Sequence, residues 1–187
     1  MNDMTVRDIV GLCPEEAIWK MMVDISEFMK ECKEGHVLAP GNIAIDGDSF
    51  FVGNAGEVES EFLAPEQDAS SLPDSAQVVW SLGAVAYYAA SGHVVFGGHG
   101  GCYQRLHPNV PLPTLPKSMR SLTPVIQRCL CSNPSERIGL EELNRLARKG
   151  LSDCSGRQRE RSEMYNGAQP GKDHDKAGKW PEEMMEI

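Results

Sequence analysis

Hydrophobic positions recur at helical spacing along much of the chain. Between residues 14 and 34 they fall at intervals of 4, 3, 4 and 3, which predicts one amphipathic helix whose buried face carries Ile18, Met22, Ile25, Met29 and Cys32. Pro14 suits the first turn of this helix, and Gly35 is expected to end it.

Four further helices are predicted from similar patterns. Residues 4–12 are expected to form a short helix, and residues 118–131 and 139–149 to form two amphipathic ones, with Gly150 as the stop of the last. The apolar stretch 76–91 has no polar stripe, so it is expected to be surrounded by protein.

The segments between the helices carry turn residues. Residues 36–53 are predicted to form short strands with a turn at 46–48, where the sequence is Asp-Gly-Asp. Residues 54–75 look irregular, with helix capacity only near 65–68. Glycines and prolines predict one long loop over 92–116.

Hydrophobic periodicity is lost near residue 152, which predicts two parts. Residues 1–150 are assigned to a folded domain, and residues 151–187 to a polar, flexible tail. Trp180, Met184 and Met185 are candidate anchors if the tail docks on the domain.

Composition and charge narrow the classes of function. The chain has 187 residues, 41% of them hydrophobic, which is ordinary for a globular domain. Its net charge is -9, from 18 Lys and Arg against 27 Asp and Glu. An acidic surface repels phosphates, so nucleic acid and anionic membranes are not expected as partners.

The longest apolar run is too short to cross a bilayer, and the acidic N-terminus does not resemble a secretory signal. We therefore expect a soluble, cytoplasmic protein.

The cysteines and histidines do not form a recognisable metal or catalytic pattern. Six cysteines are present, and most fall inside apolar helical patterns, where thiols behave as small hydrophobes. Cys129 and Cys131 are one residue too close for the usual zinc pair, and no second pair follows. No metal and no cofactor are expected.

Three motifs in order resemble the C-terminal lobe of the eukaryotic-type protein kinase fold. The stretch 80–83 reads Trp-Ser-Leu-Gly and is followed by Tyr87, as in the kinase Asp-Val-Trp-Ser-Leu-Gly motif. The stretch 62–66 resembles the Ala-Pro-Glu motif, and 129–137 resembles Cys-Leu-x-x-Asp-Pro-x-x-Arg. The resemblance covers roughly residues 4–150.

The resemblance implies a structural ion pair. In the kinase family the Glu of Ala-Pro-Glu and the Arg of the last motif form a buried pair, and Glu66 and Arg137 occupy those positions. Removing one partner of such a pair typically costs about 3–5 kcal/mol.

The same comparison implies that the catalytic machinery is lost. Phosphoryl transfer needs a base near the hydroxyl, a lysine on the phosphates and metal-holding oxygens. Val37 stands where the family has its catalytic Asp, and Ala39 where it has its Lys. Asn54 replaces the principal metal-binding Asp. Asn42 alone matches a metal ligand, and we expect it to be a hydrogen-bonding loop residue.

A second resemblance points to a class of non-catalytic domains. No glycine-rich loop and strand lysine precede the first helix, so no N-terminal lobe is expected. Residues 5–10 and 15–19 are similar to the start of the kinase non-catalytic C-lobe domain (KIND), which implies a protein-interaction module that binds partner peptides. An acidic run, comprising Glu57, Glu59 and Glu61 with further acids at 66 and 68, is a candidate surface for a basic peptide.

These observations lead to one main hypothesis and two alternatives. We expect a mainly α, kinase C-lobe-like domain with a small β-hairpin that is not an enzyme and that acts as a scaffold for a protein or peptide partner. A second copy, docked on the surface left by the missing N-terminal lobe, is one such partner. The alternatives are half of a split serine/threonine kinase completed in trans, and a degenerate remnant with only a structural role. The substituted Asp positions weigh against the split kinase, because a partner lobe would not restore them.

Overall fold

The computed structural model describes residues 4–11, 13–32, 36–53, 58–68 and 72–167. Several residues singled out from the sequence lie outside this part of the chain, namely Gly35, Asn54, Glu57, Trp180, Met184 and Met185.

The chain is mainly helical, with one small antiparallel sheet. A 3-10 turn at Val6–Ile9 precedes helix α1 (Glu15–Glu31) and strands β1 (Ile43–Asp46) and β2 (Ser49–Val52). Helices α2 (Ser75–Ser91), α3 (Val95–Gly98), α4 (Gly100–Leu106), α5 (Thr123–Cys129) and α6 (Leu140–Gly167) follow. Further 3-10 turns lie at Pro40–Asn42, Ser60–Phe62 and Lys117–Met119.

Helix α2 lies at the centre of the core, as the lack of a polar stripe in its sequence predicts. Trp80 and Leu82 are fully buried, and the helix contacts α1, α5 and α6. Its ends have clear causes. The Asp74 carboxylate accepts a hydrogen bond from the Gln77 backbone N–H (2.8 Å), and Gly92 ends the helix in the left-handed conformation at φ +77°.

The predicted hairpin is confirmed, and it is tied to α1. β1 pairs antiparallel with β2 in the register Ile43 to Val52, across a turn in which Gly47 has φ +58°. The backbone N–H of Phe50 donates to Asp24 Oδ2 (3.1 Å) on α1. Lys20 binds the same carboxylate at 2.6 Å, so the hairpin is fixed to a charged pair on the helix.

The prediction of one long loop over 92–116 is wrong, because the segment contains helix α4. Its glycines allow close backbone contact. A Cβ on Gly100, which has φ +55°, would lie 2.0 Å from the Glu61 carbonyl oxygen, and one on Gly101 would lie 2.2 Å from that of Leu63. The two glycines therefore allow the first turn of α4 to pack directly on the backbone of residues 61–65.

The predicted end of the last helix at Gly150 is also wrong, because α6 continues to Gly167. A Cβ on Gly150 would lie 2.4 Å from the Trp19 ring, so this glycine permits α1 and α6 to approach closely. Cys154 is buried, and Ser155 Oγ donates to Glu16 Oε1 on α1 (2.9 Å). The division proposed at residue 150 thus falls inside a helix that packs on α1 beyond it.

Smaller differences concern the other elements. Within the described residues 4–11 the predicted short helix is a 3-10 turn at Val6–Ile9, and residues 118–131 form a 3-10 turn followed by the short helix α5. Residues 65–68 hold a turn and not a helix. Among the helices of the described residues, none combines the length and the apolar character needed to cross a bilayer.

Candidate functional site

Two of the positions predicted to be degenerate and two residues of the acidic run lie along one cleft of about 610 Å³. Ala39 and Asn42 line the cleft from the segment 39–42, and Glu59 and Glu61 line it from the segment 58–61. Val37 is half-buried just upstream and is not part of the lining. The structure therefore brings Ala39 and Asn42 together with part of the acidic run.

The Asn42 side chain is occupied by contacts within its own loop. Its Oδ1 accepts a hydrogen bond from the Ala39 backbone N–H (2.8 Å), and its Nδ2 donates to the Val37 carbonyl (2.5 Å). Both ends of the amide thus stabilise the turn at Pro40–Asn42, as expected for a hydrogen-bonding loop residue.

Positions 37 and 39 carry no group that could assist phosphoryl transfer. Val37 contributes its carbonyl to Asn42, and the methyl group of Ala39 is buried, with 2% exposed. Arg7 is the one cation among the described residues of the cleft lining. A base and a phosphate-binding ammonium are both needed for the reaction, and these two positions supply neither.

Arg7 is paired with Glu59 at the edge of the cleft. The hydrogen bond with Glu59 is the main cause that raises the pKa of Arg7 above its usual value. A Cβ on Gly41 would lie 3.3 Å from Glu59 Oε1 and 3.5 Å from Arg7 Nε, so the small residue leaves room for the pair.

The acidic run is less negative than its sequence suggests. Glu59 is neutralised by Arg7, and Glu66 by Arg137. Glu61 accepts a hydrogen bond from Ser60 Oγ (3.2 Å) and faces the cleft. Of these three carboxylates, Glu61 is therefore the one that leaves its charge available to a basic group.

Glu66 and Arg137 form the ion pair that the kinase resemblance implied. Two parallel hydrogen bonds join the guanidinium and the carboxylate, Nη1 to Oε1 at 2.6 Å and Nη2 to Oε2 at 3.0 Å. Arg137 also donates to the carbonyls of Ala76 (2.8 Å) and Cys131 (2.9 Å). The Arg137 side chain is fully buried, whereas that of Glu66 is 26% exposed. Such bidentate geometry fixes position as well as adding energy.

The Trp-Ser-Leu-Gly motif on α2 holds three other segments in place. Ser81 Oγ donates to the Phe62 carbonyl (2.7 Å), which anchors the 60–66 segment. Trp80 Nε1 donates to Gln104 Oε1 on α4 (3.0 Å). A Cβ on Gly83 would lie 2.4 Å from Cys129 Cβ, so Gly83 allows α5 to pack closely against α2.

Gln104 was not singled out from the sequence, although it links three helices. It is 2% exposed, and its Nε2 donates to the Leu130 carbonyl (2.7 Å) while its Oε1 accepts from Trp80. A single glutamine between glycine-rich and proline-rich stretches carries no recognisable signal. Its role follows only from the hydrogen bonds that its buried side chain makes to Trp80 on α2 and to Leu130 after α5.

The cysteines are free thiols with different degrees of burial. Burial raises the pKa of Cys13 to about 11 and that of Cys129 to about 12. Within the described part of the chain, His, Cys, Asp and Glu side chains form no group of three or more that could hold a metal ion.

In comparisons with known proteins, no protein-family model and no curated protein matches this chain. The function proposed for it therefore rests on its own residues and contacts.

Proposed function

We propose that the chain is a kinase C-lobe-like domain that does not catalyse phosphoryl transfer and that binds a protein or peptide partner. One contrast carries the proposal. The Glu66–Arg137 pair and the motif contacts of α2, which are structural, are present in full, whereas the positions that would do chemistry hold Val37 and Ala39.

The hydrogen bonds of Asn42 support the loss of catalysis. A metal-binding amide must direct its oxygen at the ion, but Asn42 Oδ1 accepts from the Ala39 backbone and its Nδ2 is bound to the Val37 carbonyl. The residue that still matches a metal ligand is therefore used to shape the loop.

The cleft next to this loop is the proposed binding surface. Its walls are held by the Ser81 contact with the 60–66 segment and by the Asn42 turn, so a partner would meet a preformed surface. Val58 is 49% exposed on its lining, and Glu61 adds a carboxylate. An exposed apolar side chain beside an acidic one suits a short peptide with a hydrophobic and a basic residue.

We propose a cytoplasmic location, a reducing compartment in which the six free thiols would persist. A second copy of the chain remains a candidate partner. Sedimentation of the wild-type chain over a range of concentrations would detect such self-association.

Selection from a random-peptide phage library against the folded chain tests the binding function. We expect the selected peptides to lose roughly tenfold or more in affinity for Val58→Asp and Glu61→Lys, which alter the cleft lining. The control Leu112→Asp also places a charge on an exposed hydrophobic residue, but outside the cleft lining. Peptides that bind both cleft variants as tightly as the wild type would contradict the proposed surface.

A further inference from the structure

A cysteine and a histidine meet where helix α1 ends. Cys32 Sγ lies 3.2 Å from His36 Nε2, and both residues are half-buried rather than sealed in the core. A thiol and an imidazole nitrogen at this distance can pass a proton directly, which is how a weak nucleophile is activated by a neighbouring base.

Phe28 holds the pair together from one turn earlier in α1. Its carbonyl accepts the backbone N–H of Cys32 (3.0 Å), which fixes the cysteine as the last turn of the helix closes. Its ring contacts the His36 ring, with centroids 5.6 Å apart and planes inclined by 52°. One residue thus positions both the thiol and the imidazole.

The other cysteines lack this arrangement. Among the described side chains, Cys32 is the one thiol with an imidazole nitrogen in hydrogen-bond range. Cys13 and Cys129 are buried, and burial raises the pKa of both thiols. Cys102 is exposed, but its neighbour is Arg105, with 3.8 Å between Sγ and Nη2, and a guanidinium has no free lone pair to accept a proton.

We propose that Cys32 is a modification site for α,β-unsaturated carbonyl electrophiles, with His36 as its general base. The sulfur attacks the β-carbon, so an S–C bond forms as the electron pair of the C=C bond moves to the α-carbon. The thiol proton passes to His36 Nε2 and from there to the α-carbon. No group leaves, and no oxidant or reductant is needed.

Modification would also change the contact between α1 and the following segment. A thioether at Cys32 has no proton to share and occupies the space against His36. His36 begins the segment that continues through Ala39 and Asn42 to the cleft. The site thus lies on the chain segment that shapes the proposed binding surface.

The test is the rate at which each cysteine of the full chain reacts with N-ethylmaleimide, read by peptide mass spectrometry. Burial alone can only slow a thiol, so activation is revealed when the folded protein reacts faster than the chain unfolded in urea. We expect Cys32 to react roughly tenfold or more faster in the folded state, and Cys102 to react no faster than when unfolded. An α,β-unsaturated aldehyde should give the same ranking.

Replacing the base separates activation from accessibility. His36→Asn should lower the folded-state rate of Cys32 roughly tenfold or more, whereas His99→Asn, on an exposed histidine outside this contact, should leave it unchanged. A Cys32 that reacts no faster when folded than when unfolded overturns the proposal, and so does an unchanged rate in a folded His36→Asn chain. The wild-type comparison decides the matter even if that variant fails to fold.

Discussion

At the scale of single residues, burial distinguishes the Glu66–Arg137 pair from the other ion pairs in the described part of the chain. The Arg137 side chain is fully buried, whereas Arg128 is 48% exposed in its pair with Glu142. Solvent screens exposed pairs strongly, but a buried charge that loses its partner has no water to replace it.

Arg137→Ala should therefore lower the free energy of unfolding by about 3 kcal/mol, near the lower end of the range for buried pairs because Glu66 is partly exposed. The loss includes the hydrogen bonds to the carbonyls of Ala76 and Cys131. The matched control Arg128→Ala should cost about 1 kcal/mol or less. Urea denaturation of both variants measures the difference, and equal losses would show that the buried pair is no more important than a surface one.

The buried thiols predict a loss of stability at alkaline pH. The pKa of Cys129 is raised from 9.0 to about 12, and that of Cys13 from 9.0 to about 11, so the unfolded chain releases these protons first as the pH rises. The stabilising contribution is fully present below pH 9 and is lost as the pH rises toward the folded-state values. Each thiol should contribute a slope of up to about 1.4 kcal/mol per pH unit.

Urea denaturation between neutral pH and pH 10 checks this dependence. Cys129→Ala keeps the Cβ that packs near Gly83 and should flatten the decline above pH 9. Cys102→Ala, which removes an exposed thiol, should leave the decline as it is in the wild type. A Cys129→Ala chain with the wild-type slope would contradict the burial of this thiol.

At the scale of the elements, Gly150 and Gly156 of α6 lie in different surroundings. A Cβ on Gly150 would lie 2.4 Å from the Trp19 ring, whereas a Cβ on Gly156 would meet nothing within 4 Å. Glycine normally weakens a helix, so the same substitution should have opposite effects at the two positions.

Gly156→Ala should raise the free energy of unfolding by about 0.5–1 kcal/mol, because alanine favours the helix and meets no other atoms. Gly150→Ala should lower it by about 1–3 kcal/mol, because the added methyl group forces α6 away from Trp19. Thermal or urea denaturation measures both. Stabilisation by Gly150→Ala would mean that α6 does not pack on Trp19 at this position.

Local sequence signals predicted the elements whose causes are local. The hairpin followed from a Gly turn between apolar runs, and α2 from an apolar run without a polar stripe. The errors arose where a glycine serves a distant contact. In the sequence alone, Gly150 suggests the end of a helix, but in the structure it makes room for the Trp19 ring. Gly100 likewise suggests a loop, but in the structure it lies against the Glu61 backbone.

The same limit applies to the candidate site. The motifs identified Glu66 and Arg137, which are 71 residues apart, because a family pattern carries long-range information that periodicity does not. The pairing of Arg7 with Glu59 could not be predicted, because no sequence pattern links these two residues, whose side chains meet beside Gly41.

At the scale of the whole molecule, α2 connects the structural contacts to the cleft. Trp80 and Ser81 hold α4 and the 60–66 segment, and Arg137 fixes Glu66 at the end of that segment. The scaffold is therefore built to keep one surface in place. Under the proposed function, that surface binds the partner. Val37 and Ala39 supply neither the base nor the phosphate-binding ammonium that phosphoryl transfer needs.

Nucleotide binding tests this central claim most directly. Thermal denaturation and titration calorimetry of the full chain, with ATP and ADP and each with and without Mg²⁺, should show no stabilisation and no heat of binding at millimolar nucleotide. A ligand present at 100 times its dissociation constant would stabilise the fold by about 2.7 kcal/mol, which a denaturation curve resolves clearly. A Mg²⁺-dependent shift of that size, lost in Asn42→Ala, would contradict the non-catalytic assignment and would make Asn42 a metal ligand.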